Sequence, residues 1–258
     1  MNNTLIKGLQ VIELLAHSST PMSLTEIARA LGLTKSNVHR LLAALSDSDY
    51  VIRDPDEGSY TASIRLWELG SAVLSKLDLR MHAAHRMESL AEQSGESVHL
   101  SIQDRHEVVY VHKVDSPNPI RAYSQIGGRA PIHCVATGKA MLAFKSRESL
   151  LWITRHLRAY TETTITSPEA MLAEVERIRR RGYAVNAGEW REGVHGVAVP
   201  IFDGTGQVIA AIGLSGPRDR FTPEHVELCA DLLKHAAQDI MSHMGSNPSQ
   251  HTLTHLYR

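Results

Sequence analysis

A run of polar and cationic side chains between positions 34 and 40 carries the chemistry of DNA contact. Lysine and arginine attract phosphates, while serine, asparagine, histidine and arginine exchange hydrogen bonds with base edges. The apolar residues of the same segment, Val38, Leu41, Leu42 and Leu45, recur at helical spacing and leave the polar set on the opposite face. We therefore predict a helix that reads DNA through its exposed start, with an N-cap at Thr34. The predicted DNA-contacting residues of this helix are Thr34, Lys35, Ser36, Asn37, His39 and Arg40.

A glycine-rich corner in the second half of the chain offers a place for an anion. The segment from Gly127 to Cys134 contains two adjacent glycines and a proline, and it leads into a small-residue helix that we predict to begin at Ala136. Free backbone N–H groups and the helix dipole at such a start attract a carboxylate, and the Thr137 hydroxyl adds a donor. A plain tight turn explains the same residues equally well.

A polar segment from Glu189 to Glu192 separates two predicted strands and contains Trp190 and Arg191. Trp190 is suited to cover an aromatic ring, and Arg191 is suited to pair with a carboxylate in a two-pronged contact. An ordinary charged surface loop is the alternative for this segment.

Four residues of the C-terminal half belong to types that bind zinc or act in catalysis: His133, Cys134, Glu189 and His195. They lack the close spacing of metal-ligand motifs, so we predict no metal and no other cofactor, with zinc as the lesser alternative. Cys134 with His133 or Glu189 as its base would make a nucleophilic enzyme. Adjacent side chains rarely point together and no third group orients the base, so we predict no catalytic residue.

Two short helices around a glycine must position the DNA-reading residues. Ser23 and Glu26 have the spacing of a capping box, which predicts a helix start, and the apolar residues from Leu24 to Leu31 share one face. Gly32 can take the positive φ that ends this helix. Two helices joined in this way favour a helix-turn-helix, and a plain helical hairpin is the alternative.

The flanks of this pair complete a small domain. Residues 4–17 have the apolar spacing of a third helix, and Tyr50–Arg53 and Ser59–Ala62 predict a β-hairpin around a Pro/Gly turn. We therefore predict a winged helix-turn-helix over residues 1–63, with Arg53 and the wing turn near the DNA backbone. The first 70 residues carry six lysines and arginines against eight acidic residues, so the positive charge must be confined to one face and doubled in a dimer.

The chain beyond position 63 changes character twice. Residues 64–78 predict a connector helix, and residues 79–245 predict a second domain in which helices alternate with antiparallel strands. Three consecutive strands are predicted at Val98–Gln103, Val108–Val114 and Ile120–Ile126. The fold class is therefore α+β, and we expect the tail, 246–258, to be disordered.

Composition limits the class of protein further. The formal net charge is −1, and the only cysteines, Cys134 and Cys229, are too far apart in sequence to suggest a disulfide framework. Because no run of about 18 apolar residues occurs and the start lacks a leader pattern, we predict a cytoplasmic protein without membrane contact.

Several motifs together resemble the IclR family of transcriptional regulators over nearly the whole chain. The segment SLTEIARALGLTKSNVHRLLAAL resembles the family's winged helix-turn-helix, and Gly128–Ala143, Arg181–Val185, Val197–Asp203 and Leu214–Pro217 resemble its effector domain. The resemblance implies a C-terminal GAF-like effector-binding domain, a homodimer or dimer of dimers, and a small organic acid, often an aromatic or keto acid, as effector.

The resemblance also implies which residues form the effector pocket. Matched position by position, they are His133, Cys134, Ala136, Thr137, Asn186, Glu189, Val194, Gly196, Gly213 and Ser215. The chain departs from the family pattern in three places. Asn186 stands where an acidic residue is frequent, Gly196 where cysteine is frequent, and Asp49, before the wing, where glycine is usual.

The leading hypothesis is a regulator whose binding to a double-stranded DNA operator is controlled by a small organic acid. The alternatives are a metal- or cysteine-dependent enzyme on a GAF-like domain, and an architectural DNA binder that takes no ligand.

Overall fold

The computed structural model describes residues 3–74, 78–122 and 124–244. The chain divides into two compact units, Met1–Lys76 and Leu77–Arg258. The predicted tail and residues 75–77 of the predicted connector helix lie outside the described residues. No helix among the described residues is long and apolar enough to cross a membrane.

The first unit has the elements of a winged helix-turn-helix. They are α1 (Asn3–His17), β1 (Met22–Ser23), α2 (Leu24–Leu31), α3 (Lys35–Asp47), β2 (Val51–Arg53), β3 (Ser59–Ala62) and α4 (Arg65–Leu74). The predicted hairpin of β2 and β3 is confirmed, and β3 lies between β2 and β1 in a three-stranded antiparallel sheet. The two-residue strand β1 was not predicted, because it is too short to show any alternation.

Local hydrogen bonds explain where α2 and α3 begin. The Glu26 amide donates to Ser23 Oγ at 3.3 Å, and the Ser23 amide donates to Glu26 Oε2 at 2.7 Å, so the capping box is confirmed. Gly32 ends α2 with φ of 64°. The Asn37 amide then donates to Thr34 Oγ1 at 3.4 Å, which makes Thr34 the N-cap of α3. The predicted helix-turn-helix therefore forms from its own sequence signals.

The three helices bury one shared apolar core. Val11 of α1, Ile27 of α2, and Val38 and Leu42 of α3 are each 0% exposed, and Tyr60 of β3 packs among them. Burial of such side chains stabilises a fold by about 1.5–3 kcal/mol each. Because the apolar face of α3 packs into this core, the polar face of the helix is exposed to solvent.

The turn after α3 is left-handed at a residue that is not glycine. Asp49 has φ of 62°, and the next amide, that of Tyr50, donates to Leu45 O at 2.8 Å. The Asp49 carboxylate lies 3.8 Å from Arg65 Nη1, but the pair is largely exposed and contributes little. The turn expected at this position therefore persists with aspartate, at some cost in backbone strain.

The second unit is α+β, as predicted. Its elements are α5 (Asp78–Ser94), β4 (Ser97–Asp104), β5 (Glu107–Val114), β6 (Arg129–Pro131), α6 (Ala136–Leu142), α7 (Arg147–Thr154), α8 (Pro168–Arg181), β7 (Ala184–Ala187), β8 (Val194–Phe202), β9 (Val208–Pro217), a short 3-10 helix (Arg218–Arg220) and α9 (Pro223–His243). Six strands pair antiparallel in the order β6-β5-β4-β9-β8-β7. Helices α5 and α9 pack on the sheet and on each other, while α6 packs on β8 and β9 and against α8.

The prediction of a strand at Ile120–Ile126 was wrong. Its described residues are irregular, and the edge of β5 pairs instead with β6. Two prolines precede the segment, and side chains take up its backbone acceptors: Lys113 Nζ donates to Ser124 O at 2.7 Å, and Arg220 Nη1 donates to Ile120 O at 3.0 Å. Because these two acceptors are occupied by side chains, they are not free for ladder pairing, and the β-like composition did not become a strand.

Candidate functional site

The first candidate site is the exposed start of α3. Thr34, Lys35, Ser36, His39 and Arg40 are all exposed, and Asn37 is partly buried. Arg40 Nη2 donates to Asn37 Oδ1 at 3.1 Å, which holds an amide and a guanidinium side by side on the same face. Such a pair offers hydrogen-bond donors and an acceptor to base edges and a cation to phosphate.

The wing next to it is acidic at its tip. Arg53 is exposed at the end of β2, and Asp54, Asp56 and Glu57 follow it, also exposed. Backbone amides of Glu57 and Asp56 donate to Asp54 Oδ1 at 2.9 and 2.8 Å, and these bonds lower the pKa of that carboxyl. Carboxylates here oppose phosphate, whereas Lys35, Arg40 and Arg53 are exposed cations.

The second candidate site is a cavity of about 50 Å³ in the C-terminal unit, between α6, the sheet and the loop after β7. Seven of the ten residues implied for an effector pocket line it: Ala136, Thr137, Asn186, Val194, Gly196, Gly213 and Ser215. At Gly213 the helix approaches so closely that a β-carbon would lie 2.9 Å from Thr137 Cγ2 and 2.8 Å from Val197 O. A side chain at this position would therefore clash with both β8 and α6.

The other three implied residues, His133, Cys134 and Glu189, are not among the lining residues. His133 Nε2 pairs with Arg158 O at 3.0 Å, and His133 lines a separate open groove of about 420 Å³ with Trp152 and Tyr160. Cys134 is fully buried, and Glu189 is bonded to a buried lysine.

Burial raises the pKa of the Cys134 thiol to about 12, and the Glu189 carboxylate adds to that effect. Cys134 is therefore a protonated thiol at neutral pH, which is unsuited to nucleophilic attack. Among the described residues, no group of three or more His, Cys, Asp or Glu side chains is placed to hold a metal ion.

A buried histidine that was not predicted from the sequence forms part of the cavity wall. His99 of β4 is 5% exposed; its Nε2 lies 2.7 Å from Ser215 Oγ and its Nδ1 lies 3.2 Å from Ser124 Oγ. Burial lowers the pKa of His99 to about 4, and nearby Lys113 contributes in the same direction. The imidazole is therefore neutral at pH 7. The only sequence signal for His99 as a site residue was its position within a predicted strand, because its partner Ser215 is 116 residues away.

Polar groups around the cavity are available to a ligand. Thr137 is 5% exposed, and its buried hydroxyl finds no hydrogen-bond partner among the described residues. Arg191 lies over the Trp190 ring, with Cζ 4.5 Å from the ring centroid, and it is the one formally charged side chain among the lining residues described. Burial raises the pKa of Tyr110 to about 12, so its hydroxyl stays protonated, and the Arg191 charge opposes this shift. The cavity therefore offers hydroxyl groups and one cation.

An exposed recognition helix in one unit and a mainly apolar cavity with a few polar groups in another define a class of protein: DNA-binding regulators with a separate ligand-binding domain. Comparison with known proteins agrees with this class. The profile of the IclR helix-turn-helix domain matches residues 4–55, and that of the bacterial transcriptional regulator IclR C-terminal domain matches residues 71–242. The chain belongs to the IclR family of transcriptional regulators, and its C-terminal domain is the ligand-binding one.

Relatives and solved structures cover most of the chain. It is 35% identical over 226 residues to the HTH-type transcriptional regulator KdgR of Escherichia coli K12, covering 87% of this chain and 86% of KdgR. It is 31% identical to the HTH-type transcriptional repressor AllR of Salmonella typhi, covering 94% of this chain and 90% of that protein. These relatives are regulators rather than enzymes.

Two solved structures share the fold. The Thermotoga maritima IclR matches with a TM-score of 0.82 and 32% identity over 95% of this chain and 100% of its own. An IclR homologue from Microbacterium hydrocarbonoxydans, solved in complex with 4-hydroxybenzoate, matches with a TM-score of 0.82 and 26% identity over 95% of this chain and 100% of its own.

Proposed function

We propose that this regulator reads its operator through the start of α3, and that a small organic acid bound in the cavity controls this binding. The observation that carries the proposal is the cavity wall, which combines the unsatisfied hydroxyl of Thr137 with the single cation of Arg191. A buried hydroxyl without a partner is costly, so a ligand that bonds to it gains affinity. A carboxylate beside arginine forms a strong charge-assisted bond.

The size of the cavity favours a short acid. Its volume is about 50 Å³, whereas a dry engineered cavity that binds benzene measures about 150 Å³. We therefore propose, as the effector, a keto or hydroxy acid of roughly two to four carbons. An aromatic acid, such as the 4-hydroxybenzoate bound by the Microbacterium homologue, requires the loop that carries Trp190 and Arg191 to move outward.

DNA contact is proposed for the seven residues Thr34, Lys35, Ser36, Asn37, His39, Arg40 and Arg53. A homodimer, or a dimer of such dimers, doubles these contacts and offsets the modest charge of one unit. Exposed apolar side chains on the first unit support self-association, since Leu9 is 51%, Ile64 67% and Trp67 68% exposed. A regulator that acts on chromosomal DNA in this way works in the cytoplasm.

The acid can influence DNA binding only if it binds two arrangements of the dimer with different affinity. This requirement separates the proposal from an architectural DNA binder, which has no ligand. The proposal also differs from an enzyme, because an enzyme chemically converts the ligand that it binds.

The DNA assignment is tested with Lys35→Ala/Arg40→Ala and duplexes that the wild-type protein selects from a random pool. We expect retention in a gel shift to be lost at moderate salt, and the slope of log affinity against log salt to fall by about two per subunit. The control, Arg147→Ala/Arg155→Ala, removes two exposed cations of the other unit. Unchanged retention by the α3 variant would refute the assignment.

The effector assignment is tested by calorimetric titration of the full-length protein with acetate, pyruvate, 2-oxobutyrate and benzoate. Loss of the Arg191 cation in Arg191→Gln should weaken the best binder about tenfold or more, because a charged hydrogen bond contributes about 1.5–3 kcal/mol. The neighbouring change Glu192→Gln, at an exposed residue outside the lining, is the matched control. Absence of heat with every acid would favour the ligand-free alternative, and turnover of a bound acid would favour the enzyme.

A further inference from the structure

A buried ion pair joins two elements whose neighbouring residues line the cavity. Lys139 of α6 is 1% exposed and Glu189, in the loop after β7, is 5% exposed. The distance from Lys139 Nζ to Glu189 Oε1 is 2.5 Å, while Glu174 Oε1 of α8 lies 3.7 Å from the same nitrogen. Charges this deep in a protein persist only when they are compensated.

Glu189 depends on Lys139 more than Glu174 does. Glu174 has two other cationic partners, Arg177 at 2.8 Å and Arg181 at 3.0 Å. The second carboxylate oxygen of Glu189, Oε2, is buried and has no hydrogen-bond partner among the described residues. The Lys139 ammonium is therefore the principal group that holds the Glu189 side chain in place.

Hydrogen bonds also anchor the backbone of Glu189. Its amide donates to Asn186 Oδ1 at 3.0 Å, and its carbonyl accepts from Thr164 Oγ1 at 2.6 Å. The next two residues are Trp190 and Arg191 of the cavity lining. In α6, Lys139 follows Thr137 by two positions. The Lys139–Glu189 pair therefore links the helix that carries the Thr137 hydroxyl to the loop that carries the Arg191 cation.

We propose that the Lys139–Glu189 pair is a positioning device: it holds Trp190 and Arg191 over the cavity and so sets the affinity for the acid without touching it. This inference rests on the proposed effector function of the cavity. It assigns to two residues outside the lining a role in how tightly that cavity binds.

A purely structural role is the competing explanation, and the energetics of buried pairs separate the two. Removing one partner of a buried pair is strongly destabilising, whereas replacing both by neutral groups of similar size is often tolerated. Lys139→Met/Glu189→Gln therefore removes the charges with little change in volume. Under a structural role, recovery of stability restores the site; under a positioning role, stability recovers but the loop stays displaced.

The chain contains three tryptophans. For the experiment, Trp67→Phe/Trp152→Phe leaves Trp190 as the only tryptophan of the full-length protein. Acrylamide quenching then reports the exposure of Trp190, thermal unfolding reports stability, and calorimetry with pyruvate reports affinity. For the double variant at Lys139 and Glu189 we expect near-parental unfolding, stronger quenching than in the parent, and an affinity lower by about tenfold, because a displaced Arg191 loses its charged hydrogen bond to the acid. Arg177→Gln, which alters a partially exposed partner of Glu174, is the control and should leave quenching unchanged.

Unchanged quenching in a folded double variant would overturn the proposal. If that variant does not fold, Glu189→Leu alone decides the question, because it removes the acceptor for Lys139 at similar side-chain volume while Lys139 keeps Glu174 Oε1 at 3.7 Å; quenching equal to the parent would then refute positioning. If none of the four acids binds the parent, the proposed effector function fails on that count. The quenching comparison still reports on the pair, so the two failures remain distinguishable.

Discussion

Acid pH should destabilise the C-terminal domain through His99 in a way that can be measured. The pKa of His99 is about 4 in the folded protein, chiefly because the ring is buried, against an ordinary value of 6.5. Between these values the unfolded chain binds a proton that the folded chain does not. The contribution of neutral His99 is therefore complete above pH 6.5 and is lost progressively as the pH falls toward about 4.

The magnitude follows from the two pKa values. At 1.36 kcal/mol for each pH unit, lowering the pH from 7.5 to 4.5 should remove about 2.5 kcal/mol of unfolding free energy through this group. Burial also lowers the pKa values of His112, His133 and His195, so the whole protein should lose more than this. Comparison with a variant is needed to isolate His99.

His99→Gln removes the titrating ring and retains a polar side chain for Ser215 and Ser124. Urea unfolding of the full-length protein, followed by circular dichroism from pH 7.5 to 4.5, gives the unfolding free energy of each variant. We expect the deficit of His99→Gln at pH 7.5 to shrink by about 2.5 kcal/mol at pH 4.5. His85→Gln, at a side chain that is 87% exposed, is the control for loss of a surface imidazole.

A deficit that stays constant over this pH range would refute the reasoning, because it would mean that His99 titrates alike in the folded and unfolded chains. The cavity wall would then contain an imidazole open to water, contrary to its two serine contacts. A deficit that grows at low pH would mean that the folded state favours the charged ring.

Two further predictions concern backbone geometry. Asp49 has φ of 62°, so Asp49→Gly should be at least as stable as the wild type, whereas Asp49→Ala should be about 1 kcal/mol less stable than Asp49→Gly in urea unfolding; equal stabilities would contradict the strained turn. A β-carbon at Gly138 would lie 2.0 Å from Ile132 O, so Gly138→Ala should cost about 1–3 kcal/mol of unfolding free energy. Gly8→Ala, where nothing lies within 4 Å, is its control, and equal effects of the two changes would argue against the clash.

Local sequence signals were sufficient for the DNA-binding unit. The Ser23–Glu26 capping box, the Thr34 N-cap and Gly32 each form their bonds with residues three or four positions away along the chain, so the bonds that define α2 and α3 could be inferred from spacing alone. Apolar periodicity predicted which face of α3 would be buried, and thus which residues remain exposed. The element bounds in this unit differ from prediction by about a residue or two, as expected for helix ends.

The predicted strand at Ile120–Ile126 shows where local composition misleads. Its residues have β-like character, but the acceptors of Ile120 and Ser124 are taken by Arg220 and Lys113. Arg220 lies 100 residues away from Ile120 in sequence, and no local pattern indicates such a partner. Tertiary hydrogen bonds therefore overrode the local preference.

What the sequence by itself determined is the order and type of most elements, the exposed polar face of α3 and, through its ordered motifs, the family. Only the tertiary structure decided which side chains meet: it brings His99 to Ser215 and Lys139 to Glu189, and it turns His133 toward Arg158 in a separate groove. The physical reason is range. Caps and helix faces depend on residues three or four positions apart, whereas a cavity wall depends on strand register and helix docking, which join residues 50 to 116 positions apart in these two pairs.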